Sequence, residues 1–160
     1  VKDIIIREEN MTMEYLNDNC TMVQEFMKTF GQTIPTVKIL PPVSVINLRC
    51  DLINEEVGEM YEADDLVEYF DAVLDQLYVA YGHAIAAGIS PAEVQRGFAE
   101  VHRSNMSKLW TDSEVNERPV MSKATRVAPS GRCFIVTNQA GKVLKSPSYS
   151  RADLNFIKPL

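Results

Sequence analysis

Apolar positions recur at helical spacing through the first two thirds of the chain and lose that rhythm after Trp110. From Met13 to Phe30 the pattern predicts a helix, with Met22, Val23, Phe26, Met27 and Phe30 on one stripe and Gly31 as its stop. Residues 1–11 hold three consecutive Ile without a clear period, as in a short strand or an ordered arm. Pro35, Pro41 and Pro42 predict an extended connection, because proline disfavours helix at itself and at its predecessor. A second helix opens near Ser44, with Ile46, Cys50, Ile53, Val57 and Met60 as its inward stripe. Asp64 or Asp65 caps a third, which ends at Gly88. Along it Val67, Phe70, Leu74, Leu77 and Tyr81 form one stripe, and Glu68, Asp71, Asp75, Tyr78 and Gly82 the adjacent one. So little of this helix is otherwise polar that both stripes are expected to be buried. The fourth start is the clearest: Ser90 caps, Pro91 takes the first helical position, and Glu93 reaches back as a capping box. That helix runs through Val94, Phe98 and Val101 to about Met106.

Residues 111–131 are polar, contain Pro119, Pro129 and Gly131, and read as loop. CFIVT and KVLK then flank Asn138-Gln-Ala-Gly141, the pattern of a β-hairpin with a four-residue turn. The final segment has no strong period and is expected to pack on the bundle or on a partner subunit. The whole predicts an all-α fold in a single domain, residues 1–160. A four-to-five-helix bundle over residues 12–110 carries a loop and β-hairpin tail over residues 111–160.

Composition supports a folded chain: 160 residues with 46% hydrophobic content suffice for a core. The net charge of −6 is unevenly spread. Residues 1–95 carry 5 basic and 17 acidic side chains, whereas residues 96–160 carry 11 basic and 5 acidic. An acidic half suited to metals and a basic segment suited to phosphates fit a nucleotide better than a nucleic-acid polymer. Cys20, Cys50 and Cys133 are an odd count without C-x-x-C spacing, so reduced thiols in the cytoplasm are expected. His83 and His102 are too isolated for a zinc site, and neither a signal peptide nor a membrane span stands out.

The candidate chemistry lies between Asp51 and Asp75, which hold ten acidic residues and no basic one. Glu56 and Glu59 share a face of the second helix, and Glu68, Asp71 and Asp75 share a face of the third. A tight turn at residues 63–65 would set the two faces opposite each other. Acid runs on helices are most often solvated faces. Two details weigh against that here: no Lys or Arg stands at i+4 to relieve repulsion, and the second acid set rides on an apolar helix. Converging carboxylates protonate or recruit cations, and full-charge oxygen ligands are what Mg²⁺ prefers.

The residues EEVGE and EYFD resemble the E-E-x-x-E … E-x-x-D signature of the all-α nucleoside triphosphate pyrophosphohydrolases. LRCDLINEEVGE, DLVEYFDAVLDQLYVAYG, AAGIS, EVHRSNMSKL and GKVLKSPSY extend the likeness to the phosphoribosyl-ATP-pyrophosphohydrolase-like, MazG-like branch, over roughly residues 23–150. The resemblance implies Mg²⁺-dependent hydrolysis of a (d)NTP to (d)NMP and pyrophosphate, with Mn²⁺ as a substitute. It implies metal ligation by Glu56, Glu59, Glu68 and Asp71, and a catalytic role for Glu55 and Glu56, whose shares in metal binding and proton transfer stay undivided. Asp75, Asn105, Lys108 and, more weakly, Arg103 fall where substrate contacts are expected. Lys142 and Lys145 are candidates to cover the phosphates, and Tyr78, Tyr81 and Trp110 to stack on a base, although core packing is the commoner use of such aromatics. Relatives form dimers or dimers of dimers, so a homodimer or homotetramer is expected, with no nucleic-acid or membrane partner. Eight residues separate Glu59 from Glu68, fewer than in many relatives, which bears on the base recognised. Phosphoribosyl-ATP hydrolysis, a non-catalytic helical scaffold and a signalling-nucleotide binder are the alternatives.

Overall fold

The computed structural model describes residues 19–117, 124–128 and 131–158. The strand or arm expected at residues 1–11 and the helix start at Met13 lie outside them. The fold is all-α with a small C-terminal sheet, and it divides into two compact units. One takes the chain up to Val94 together with the residues from Ile157; the other is Gln95–Phe156.

In the first unit, α1 (Asn19–Thr29) ends as its sequence predicts. Gly31 takes φ +67°, Gln32 N donates to Met27 O at 2.8 Å and Gly31 N to Lys28 O at 3.1 Å, a Schellman stop. The proline-held connection then enters α2 (Val43–Glu62) through Pro42, whose carbonyl accepts from Val45 N and Ile46 N. The backbone at Pro42 therefore starts the helix; no side chain caps it. Three residues later Asp65 opens α3 (Leu66–Ala86), its Oδ1 accepting from Val67 N at 2.8 Å and Glu68 N at 2.9 Å. Gly88, at φ +73°, closes α3, with Ile89 N on Ala84 O and Gly88 N on Ile85 O. A Cβ at Gly88 would lie 2.5 Å from Val37 O, so the incoming connection packs against this glycine.

Cys20, Val23, Met27, Ile85 and Ala86 form the buried centre of this unit, with Ile34, Val45, Tyr81 and Val94 packed around it. The capping box at the start of α4 (Pro91–Met106) is present. Glu93 N donates to Ser90 Oγ at 3.3 Å and Ser90 N to Glu93 Oε2 at 3.0 Å.

Burial along α3 departs from expectation. Val67, Phe70, Leu74 and Leu77 are 76%, 58%, 46% and 48% exposed, and on the acid stripe Glu68, Asp71 and Tyr78 are exposed, Asp75 half-buried and Gly82 buried. On α2 no residue is fully buried and Cys50 is exposed. Tyr81 at the far end of the apolar stripe packs on the buried centre, whereas Val67, Phe70, Leu74 and Leu77 stay largely exposed among the described residues. Periodicity identified an apolar face but not its cover.

In the second unit, β1 (Trp110–Thr111), α5 (Asp112–Glu117), β2 (Ala124–Ala128) and β3 (Gly131–Val136) follow α4. The sheet is antiparallel in the order β1-β3-β2. Residues 111–131, expected as loop, thus contain a short helix and a strand. Glu114 starts the helix by accepting from Thr111 N at 2.8 Å, and β2 is too short to show a period in sequence. The Asn138–Gly141 turn is present, with Gly141 N on Asn138 O and φ +79° at Gly141. The KVLK side of it holds to β3 through a single bridge, Thr137 to Val143, and the bond Leu144 N to Val136 O. The tail lies along α4: Ser146 Oγ donates to Ser107 O at 2.8 Å, Ser150 N to Ser107 Oγ at 3.0 Å, and Asp153 N to Glu100 Oε1 at 2.8 Å. No helix among the described residues is long and apolar enough to cross a membrane.

Candidate functional site

The turn of residues 63–65 returns α3 along α2, and two contacts fix the antiparallel register. Gln76 Nε2 donates to Glu56 O at 3.4 Å and approaches Met60 Sδ at 3.8 Å. One further contact lies toward the far end of the same seam, where the Arg49 guanidinium rests on Gly82. This register brings Glu56 of α2 to the level of Asp71 and Asp75 of α3.

Glu56 is the centre of the acid set. It is half-buried, and its Oε2 is cut off from solvent without any hydrogen-bond donor. Burial raises its pKa above the usual carboxylate value, and the charges of Asp75, Glu59, Glu55 and Asp71 push the same way. A buried, unbonded carboxylate oxygen ringed by like charges needs either a proton or a cation.

Glu55, Glu59 and Asp71 are exposed around this centre and Asp75 is half-buried. Among the described residues, no three ligating side chains are gathered tightly enough to enclose an ion. The acids are within electrostatic reach of one another, and exposed carboxylates swing by rotamer changes alone. Glu68 is engaged elsewhere: its Oε2 accepts the Asp64 N–H at 2.9 Å, bracing the start of α3. The E-x-x-D spacing therefore places Glu68 and Asp71 on one face while only Asp71 acts on Glu56.

Three residues expected to contact substrate lie in the second unit. Lys108 Nζ donates to Asn105 Oδ1 at 2.6 Å, so these two form a pair on an exposed surface. Arg103 is occupied, bonded twice to Glu100 at 2.7 and 2.8 Å and once to Arg151 O at 3.1 Å. That pairing holds the Glu100 carboxyl down to about 2. Lys145 Nζ stands 4.4 Å over the Tyr149 ring, and Lys142 is exposed.

Of the aromatic candidates, Trp110 is buried and its Nε1 has no acceptor. Tyr78 meets the edge of Phe26 at 5.7 Å, and Phe26 stacks obliquely on Phe30 at 4.3 Å. Phe26 and Phe30, on the apolar stripe of α1, are exposed. Arg49 was missed as well. The signal was one basic residue seven positions before Glu56.

Residues 23–105, which contain the whole acid set and Asn105 but not Lys108, match the family model described as phosphoribosyl-ATP pyrophosphohydrolase. The chain is also 43% identical over 79 residues to an uncharacterized protein of Acanthamoeba polyphaga mimivirus. That alignment covers 45% of this chain and 32% of the viral protein, so the chain spans about a third of its relative's length.

Proposed function

The chain belongs to the phosphoribosyl-ATP pyrophosphohydrolase family, within the all-α, MazG-like superfamily, and from that membership we propose that it hydrolyses a nucleoside triphosphate between the α- and β-phosphates. A water oxygen joins the α-phosphorus, and the bond from that phosphorus to the bridging oxygen breaks. The β- and γ-phosphates leave together as pyrophosphate, and (d)NMP remains. Nucleotide-pool housekeeping in the cytoplasm is the role that fits such a reaction.

The observation that carries this reading is Glu56 Oε2, buried without a donor and surrounded by the carboxylates of Glu55, Glu59, Asp71 and Asp75. All-oxygen, fully anionic groups with one orphaned oxygen fit Mg²⁺ in kind. When bound, that ion offsets triphosphate charge and lowers the pKa of the attacking water. Glu56, Glu59, Asp71 and Asp75 would hold it from two helices, and Glu68 joins only by releasing the Asp64 N–H. Glu55, exposed beside Glu56, shares with it the proton taken from water. A second copy of the chain would cover Val67, Phe70, Leu74 and Leu77, making a homodimer or homotetramer.

The matched family model favours a second substrate, phosphoribosyl-ATP, whose hydrolysis also releases pyrophosphate. Incubating the pure protein with Mg²⁺ and each (d)NTP, and separately with phosphoribosyl-ATP, distinguishes the two. Pyrophosphate from a (d)NTP supports the first reading and pyrophosphate from phosphoribosyl-ATP alone the second. Orthophosphate as the first product contradicts both.

A further inference from the structure

Arg49 is a cation without a counter-ion at the far end of the acidic seam. Its Nη2 donates to Gln32 Oε1 at 2.8 Å and lies 3.6 Å from Met27 Sδ, both neutral groups. Among the described residues no carboxylate pairs with it. Its Nη1 occupies the space a side chain at Gly82 would fill, since a Cβ there would lie 2.5 Å away. Glycine in the interior of a helix is unfavourable relative to alanine, so Gly82 has a packing role, and that role is to seat this guanidinium. His83 Nε2, 2.9 Å from Arg49 O, holds the same turn of α2 against α3. Burial lowers the Arg49 pKa, the mark of a charge partly removed from water with nothing opposite to offset it.

The spacing relates this cation to the acids. Arg49 precedes Glu56 by seven residues, and Gly82 follows Asp75 by seven. Two helical turns amount to roughly 10 Å of axial rise with almost no rotation, so each pair lies on one face. The antiparallel seam therefore has carboxylates at one level and a single guanidinium two turns away, with Tyr78 between Asp75 and Gly82 along α3. A ligand whose one end needs a cation bridge to carboxylates, and whose other end carries bare phosphate charge, matches that polarity. A guanidinium pinned through one nitrogen keeps other N–H donors for phosphate oxygens.

We propose that Arg49, seated on Gly82, binds the terminal phosphates of the nucleotide and the pyrophosphate that leaves. This rests on the pyrophosphohydrolase reading and adds to it a residue that grips the leaving group. Pinning α1 to the α2–α3 pair, the purely structural role, needs only the contacts to Gln32 and Met27 and not a positive charge.

The test compares wild type, R49Q, R49K and G82A by calorimetric titration with inorganic pyrophosphate, with and without Mg²⁺, alongside steady-state kinetics and thermal melts. Losing a charge-assisted phosphate contact is expected to weaken pyrophosphate binding roughly tenfold or more in R49Q. KM for the nucleotide should rise with it, R49K should recover part of the loss, and G82A should weaken binding by displacing the guanidinium. If R49Q does not fold, the melt of R49K and G82A identifies the folded variants that carry the same comparison. Folded variants that bind pyrophosphate as tightly as wild type, while wild type releases it from a nucleotide, overturn the Arg49 assignment and leave the functional reading intact. A wild type that neither binds nor releases pyrophosphate overturns both.

Discussion

Lys38 Nζ stands 2.8 Å from Glu93 Oε1, tying the proline-held connection to the first turn of α4 across 55 residues of sequence. The same carboxylate accepts from Ser90 N and Ser90 Oγ, and these bonds together hold the Glu93 carboxyl down to about 2 from its ordinary 4.5. A carboxyl depressed on folding adds stability above its unfolded pKa and loses it as pH falls through the folded value. The contribution is therefore present at pH 7 and disappears between about 4.5 and about 2. E93Q keeps a side chain able to cap the helix but drops the charge. It should cost roughly 0.5–1 kcal/mol at pH 7, because the pair is partly exposed. Thermal melts at pH 7 and pH 2.5 check this: the gap between wild type and E93Q should narrow sharply at the lower pH.

Glu56 has the opposite sign. Its raised pKa means that its charge opposes folding once pH exceeds that value, and a cation bound among the acids should relieve the strain. Mg²⁺ should raise the Tm of wild type, by an amount equivalent to about 2.7 kcal/mol at a concentration one hundred times its Kd. E56Q should melt higher than wild type in a chelator, gain little from Mg²⁺, and lose turnover by roughly a hundredfold or more. An E56Q variant with wild-type turnover would remove Glu56 from the chemistry.

The groups around Glu56 differ in what they should affect. D71N and E59Q are expected to raise the Mg²⁺ concentration needed for half-maximal turnover. E68Q should act first on stability, because its carboxylate braces the Asp64 N–H at the start of α3. Mg²⁺ titrations of rate beside melts of each variant separate the two effects. A shift in Mg²⁺ requirement for E68Q as large as that for D71N would place Glu68 among the ligands.

Gly88 offers a stability test remote from the acids. An alanine there meets Val37 O at 2.5 Å and adopts a left-handed backbone at φ +73°. The left-handed conformation alone costs about 1–2 kcal/mol in an L-residue, and the contact adds to it. G88A should unfold at distinctly lower denaturant than wild type, while G31A, with nothing near its Cβ, pays only for its backbone.

The exposed stripe on α3 predicts an assembly. Replacing Phe70 and Leu77 by Asp should yield a monomer in sedimentation velocity with unchanged helical circular dichroism. A wild type that already sediments as a monomer at all concentrations would exclude it.

The helix ends were legible because their causes are local. Ser90 with Glu93, Asp65, Gly31 and Gly88 each satisfy backbone groups within a few residues, and the sequence order of such groups is enough to place them. The shared helix faces of the acids were legible for the same reason, through helical spacing. What spacing does not carry is which acid is buried, and Glu56 differs from Glu55 and Glu59 only through what α3 places opposite it. Glu68 looked equivalent to Asp71 because both share a face, yet its place in the first turn of α3 gives it a backbone N–H to hold. The apolar stripe of α3 was read as buried because a period reports a face and not its neighbour. Arg49 and Gly82 were invisible as a pair, since their proximity arises only when α3 folds back.

That fold-back depends on a link of just three residues, from the end of α2 at Glu62 to the start of α3 at Leu66. So short a tether forbids piston-like sliding of one rod past the other. A cation bound between the rods as proposed would then be met by side-chain torsion and not by a shift of one helix along the other.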